Sequence, residues 1–87
     1  MKTKRRVLIV EDSKTLAVAF SIILEKTFDV ETVGTLADAS ARVVVGPHLD
    51  CIVLDLILPN GEGIDLVDKF QDKHPDVPII VVSGFHV

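Results

Sequence analysis

The chain has 87 residues, 48% of them apolar and 25% charged, with five glycines and four prolines; this balance suits one small folded domain and leaves no room for a second module. A formal charge of −4 argues against a nucleic-acid surface, and the apolar runs are too short for a membrane span or a signal peptide, so a cytoplasmic location is expected. The single cysteine, Cys51, excludes an internal disulfide and a cysteine-based zinc site, and within an apolar strand it reads as inert core.

Lys2, Lys4, Arg5 and Arg6 make a short basic arm that reads as solvated. Val7-Leu8-Ile9-Val10 is a continuous run of mostly branched apolar residues, the pattern of a parallel strand buried on both faces. Glu11-Asp12-Ser13 stops it, and Ser13 or Asp12 can cap a helix whose Leu16, Phe20, Ile23 and Leu24 recur at spacings of three and four, predicting an inward apolar face to about Thr27. Phe28 to Gly34 reads as a second strand, and its interrupting Asp29, Glu31 and Thr32 suit a sheet edge. Thr35-Leu36-Ala37-Asp38 has the form of a capping box opening a second helix, which Gly46-Pro47 stops.

Cys51 to Leu58 reads as a third strand, and Glu62 to about Lys73 as a third helix with Ile64, Val67 and Phe70 inward, ended by His74-Pro75. Val77 to Val82 reads as a fourth strand, entered through Pro78 and left through Ser83-Gly84. His48, His74 and His86 fall in separate loops or at the terminus without ligand spacing, and read as surface residues.

Three strand-then-helix units followed by a strand imply right-handed crossovers and a parallel sheet with helices on its faces. The expected fold is α/β and flavodoxin-like, with strand order 2-1-3-4. Ligands bind such sheets at the carboxyl ends of the strands, where neighbouring crossovers diverge. Glu11 and Asp12 follow the first strand directly, and Asp55 lies near the carboxyl end of the third, so the three carboxylates should be neighbours. Gathered carboxylates repel unless a cation neutralises them, and hard oxygen ligands of this kind suit magnesium. An aspartate amid strand hydrophobes also costs several kcal/mol unless compensated. Beside magnesium it can act as a nucleophile toward phosphorus, forming an acyl phosphate. Acidic residues also commonly cap helices, and Glu11-Asp12 alone could be that and no more.

Taken together, Glu11-Asp12 after an apolar strand, Asp55 followed by Leu58-Pro59 and then Gly63, and Ser83 ending another strand resemble the receiver domain of two-component response regulators. The resemblance covers essentially the whole chain. It implies that Asp55 is the phosphoacceptor, served by the phosphohistidine of a sensor histidine kinase or phosphotransfer protein. It also implies that Glu11, Asp12, Asp55 and the backbone carbonyl of Ile57 hold magnesium, that Pro59 and Gly63 shape the site loop, and that Ser83 is the hydroxyl switch. Receiver domains continue with a fourth helix, a fifth strand bearing a lysine, and a fifth helix, and none of these lies within the 87 residues.

The family lysine therefore has no counterpart: Lys14, Lys26, Lys69 and Lys73 fall on helices or their ends. A charge-assisted hydrogen bond of that kind is worth roughly 1.5–3 kcal/mol, so its loss should weaken phosphorylation or signalling. The chain thus reads either as a C-terminally truncated receiver or as part of a longer protein. If isolated, it should be a homodimer or domain-swapped oligomer through an exposed fourth strand ending in Phe85 and Val87.

Three other readings compete with this one. A phosphatase with an aspartate nucleophile would need a second aspartate at position 57, which is Ile. A dinucleotide fingerprint starting at Gly61-Glu62-Gly63 closes on Leu66 rather than glycine. The remaining competitor is a receiver acting as a phosphorylation-silent protein-binding module.

Overall fold

The computed structural model describes residues 4–55, 57, 58 and 61–82. In chain order these form β1 (Arg6–Val10), α1 (Lys14–Leu24), β2 (Asp29–Val33), α2 (Leu36–Val44), β3 (Cys51–Asp55), the two-residue strands β4 (Ile57–Leu58) and β5 (Gly61–Glu62), α3 (Gly63–Lys73) and β6 (Ile79–Val82). The main sheet is parallel with order β2-β1-β3-β6, the flavodoxin-like arrangement that the alternation of elements implies. β6 is thus the fourth strand of the sequence reading, and β2 takes its expected edge position.

Because side chains alternate across a strand, Leu8, Val10, Ile52 and Leu54 face one side and Val7 and Ile9 the other. The first set joins Ala39 and Val43 of α2, Leu66 and Phe70 of α3, and the connecting residues Leu49 and Val77 in one buried cluster. α1 packs against β1 and β2 and buries Ala17 there.

Two helix starts follow the local chemistry. Ser13 Oγ accepts from the Leu16 N–H at 3.3 Å, and Thr35 Oγ1 accepts from the Asp38 N–H at 3.0 Å, so each hydroxyl satisfies a donor that the first helical turn leaves unpaired. The stop after α2 is more elaborate. Gly46 adopts φ +115°, and a Cβ there would fall 2.7 Å from Arg42 Nη1, so the turn requires glycine. Arg42 lies over this turn, donates to the carbonyls of Val45 and Pro47, and forks onto Glu31 of β2 at 2.6 and 2.9 Å. One side chain thereby ties the end of α2 to the edge strand.

The paired guanidinium holds the Glu31 carboxyl below its ordinary value of 4.5. The unfolded chain therefore binds more protons than the folded one in that window, so this stabilisation is full above pH 4.5 and disappears as pH falls through the lowered folded value. Arg42→Ala is expected to cost about 1.5–3 kcal/mol in urea unfolding at neutral pH, and much less at a pH where Glu31 is protonated. An equal loss at both pH values would assign the effect to the carbonyl contacts instead.

Several sequence expectations need correction. α1 turns inward through Ala17, Phe20, Ser21 and Leu24, while Leu16 and Ile23 stay 47% and 65% exposed; the helix is apolar nearly all round, so spacing could not choose its face. The third strand leaves the main sheet after Asp55, because Ile57 and Leu58 pair antiparallel with Glu62 and Gly61 in a separate two-stranded ribbon. α3 begins one residue later than expected and buries Leu66 and Phe70, with Val67 partly buried. β6 begins at Ile79 rather than Val77, which instead joins the core.

The basic arm is not all solvated: Arg6 pairs with Glu31 at 3.1 Å, and Lys4 Nζ donates to the Glu25 carbonyl at 2.9 Å. His74 is half-buried with Nε2 3.1 Å from the Val43 carbonyl, so it bridges α3 to α2 rather than sitting on the surface, whereas His48 is exposed. Cys51 is half-buried rather than core, and burial pushes its thiol up, away from the reactive thiolate. Among the described residues, no helix is long and apolar enough to cross a membrane.

Candidate functional site

β1 and β3 lie side by side with Val10 opposite Leu54. The next residue on each strand is an acid, Glu11 and Asp55, so the register itself sets two carboxylates together at the carboxyl edge of the sheet. Glu11 is held there by its backbone: its N–H donates to the Val33 carbonyl at 2.9 Å, extending the β1–β2 pairing by one step. Asp12 follows where the chain turns toward α1. Glu11 and Asp55 are 6% and 9% exposed, whereas Asp12 faces solvent.

One ligand oxygen from each of Glu11, Asp12 and Asp55 lies within 4.8 Å of the others. No other group of three or more His, Cys, Asp or Glu residues reaches that proximity among the described residues. Burial raises the Glu11 carboxyl above its ordinary value, and the Asp55 charge and hydrogen bonds to Asp12 and Asp55 push the same way. The Ser13 N–H, which donates to Glu11 Oε2 at 3.1 Å, opposes that rise. The pocket therefore stores electrostatic repulsion that a divalent cation would relieve.

Sequence reasoning identified all three acids but not the second task of Ser13, whose hydroxyl caps α1 while its backbone steadies Glu11. The helix-cap position was the available signal. Asp55 pairs in register with Val82, the residue before Ser83. Ser83 and Pro59 lie outside the described residues. Gly63 is the first residue of α3, and Ile57 the first of β4. Lys14 opens α1, and Lys69 and Lys73 lie on α3.

A doubly wound parallel sheet with buried acids at the carboxyl ends of its two central strands defines a class of α/β proteins that bind polar ligands at that edge. The sequence matches the family described as response regulator receiver domain over residues 7–87, and the chain belongs to that family. It is 37% identical over 82 residues to protein-glutamate methylesterase/protein-glutamine glutaminase 1 of Caulobacter vibrioides, covering 92% of this chain and 24% of that protein. It is 33% identical over 85 residues to the corresponding group 3 operon protein of Rhodopseudomonas palustris, covering 95% of this chain and 23% of that protein. The chain thus spans about a quarter of the length of these curated relatives.

Among solved structures, it superposes on a CheY-like response regulator receiver domain protein from Methanospirillum hungatei with a TM-score of 0.89 at 27% identity, covering 98% of this chain and 68% of that one. The non-phosphorylated HemR receiver domain from Leptospira biflexa gives 0.81 at 34% identity, covering 92% and 64%.

Proposed function

We propose that this chain is the phosphoacceptor module of a two-component signalling pathway, in which Asp55 takes a phosphoryl group from the phosphohistidine of a sensor histidine kinase or phosphotransfer protein. The observation that carries this reading is the register-fixed contact of two buried carboxylates, Glu11 and Asp55, with exposed Asp12 beside them. A buried acidic pair with a raised carboxyl is costly for a small fold to keep, and receiving a cation and a phosphoryl group gives that cost a purpose.

The donor set is all hard oxygen, which fits magnesium; Glu11, Asp12, Asp55 and the Ile57 carbonyl are the proposed ligands. Bound there, the ion would neutralise phosphoryl oxygens. In our reading Asp55 supplies the attacking carboxylate oxygen, Pro59 and Gly63 shape the loop beside it, and Ser83 hydrogen-bonds the added group. The chain would act in the cytoplasm as residues 1–87 of one receiver domain. It promotes only its own phosphorylation and dephosphorylation.

Asp12→Ala is expected to weaken magnesium binding about 10-fold or more while preserving the fold, because the replaced side chain is exposed. Titration calorimetry reads the change, and unchanged affinity would remove Asp12 from the ligand set.

A second reading is a phosphorylation-silent binding module. Intact mass after incubation with magnesium and acetyl phosphate separates the two. A single phosphoryl adduct supports the acceptor, and no adduct on a folded chain supports the silent module. Self-association through β6 is a further reading, supported by its place at the edge of the described sheet with Ile80 53% and Val81 45% exposed.

A further inference from the structure

Ser13 divides its polar groups between the acid pocket and the helix that follows. Its carbonyl accepts from the Ala17 N–H at 2.9 Å and its Oγ from the Leu16 N–H, so both oxygens serve the first turn of α1. Its own N–H is the group that α1 does not use, and it donates to Glu11 Oε2 at 3.1 Å.

Glu11 needs such a contact. Its backbone is fixed by the Val33 carbonyl, but several side-chain torsions separate that backbone from the carboxylate. Asp55 and Asp12 lie close by with like charge, so before a cation arrives repulsion favours a Glu11 side chain turned away from them. A charge-assisted hydrogen bond from a main chain that α1 itself anchors opposes that turn, and keeps the carboxylate in the pocket in advance of the ion.

We propose that the Ser13 main chain is the positioning element of the magnesium pocket: its N–H holds Glu11 beside Asp12 and Asp55, so the start of α1 sets the affinity for the divalent ion. The inference rests on the reading of these acids as a magnesium site. It assigns the side chain of residue 13 to the helix and its N–H to the pocket. Any residue except proline supplies that donor.

Proline therefore separates the two tasks. Ser13 has φ −76°, within the range that the proline ring imposes, and its carbonyl would stay free to accept from Ala17. Ser13→Ala removes the hydroxyl cap alone, whereas Ser13→Pro removes the cap and the N–H together.

Titration calorimetry with magnesium reads the difference, and circular dichroism verifies that each variant is folded. Ser13→Pro is expected to raise the dissociation constant about 10-fold or more, the range for a partner that orients a metal ligand, while Ser13→Ala and Ser13→Thr stay within about twofold of the wild type. Because the ring also restricts Asp12, the second variant is a synthetic chain with an ester in place of the Asp12–Ser13 peptide bond. It keeps the hydroxyl, lacks only the N–H, and should lose affinity as the proline variant does. An ester chain that binds magnesium like the wild type overturns the inference and leaves the pocket standing. A loss in Ser13→Ala as large as in Ser13→Pro also overturns it, because the hydroxyl cap would then be the element that acts. A wild-type chain that binds no magnesium overturns the reading of the pocket itself, and this inference with it.

Discussion

Asp55→Asn is expected to take no phosphoryl group under conditions in which the wild-type chain takes one. In the wild type an Asp55 carboxylate oxygen would form the new bond to phosphorus as the bond from phosphorus to the donor oxygen breaks, and acetate would leave acetyl phosphate with the bonding pair. The asparagine amide has the same shape but lacks the anionic oxygen. Misfolding cannot easily imitate the result. The Asp55 charge pushes the neighbouring Glu11 carboxyl up, so removing that charge should leave the fold at least as stable in the absence of a divalent ion. Intact mass gives the answer directly, with urea unfolding as the control for folding. A phosphoryl adduct on the Asn variant would place the acceptor elsewhere and undo the assignment of the pocket.

The second large effect is on stability. Phe70→Ala is expected to cost about 3–5 kcal/mol, the range for deleting a buried aromatic side chain. Phe70 is 1% exposed and lies in the cluster with Leu8, Leu54, Val43 and Leu66, so it joins α3 to both the sheet and α2. It also lines a cavity of about 280 Å³ between α2 and α3, so the void left by the ring would open into existing space. A domain of this size has roughly 5–15 kcal/mol in total, so the variant should be marginal at room temperature. A loss below about 1 kcal/mol in urea unfolding, typical of an uncommitted position, would mean that the ring is not a central part of the core.

Most of the architecture was legible in the sequence because two signals are local and strong. The Val7–Val10 run could only be a buried parallel strand, and the Ser13 and Thr35 hydroxyls sit where a helix start needs an acceptor. The acid cluster was legible for a topological reason: placing the first and third strands side by side brings their carboxyl ends together whatever the loops do.

The misread features depend on partners distant in sequence. The inward face of α1 was ambiguous because Leu16, Val18, Ile22 and Ile23 are apolar on faces that spacing alone could not rank against Ala17. Arg6 looked like part of a solvated arm because its acceptor, Glu31, lies 25 residues away. His74 gave no sign of its contact with the Val43 carbonyl 31 residues back. The departure of the chain from the sheet after Asp55 goes with the antiparallel pairing of Ile57 with Glu62, to which an apolar run is blind.

The pairing of Val10 with Leu54 has a consequence for how this chain can change over generations. Because strand side chains alternate between faces, inserting or deleting one residue within Val7–Val10 or Cys51–Asp55 would exchange the two sides of that strand, turning an acid into the core and a hydrophobe into the pocket. Point substitutions at the exposed loop positions Thr27 or His48 disturb neither strand. Length is therefore the inflexible inheritance of the two central strands, and the connections between elements are where insertions can accumulate without erasing the acidic pocket.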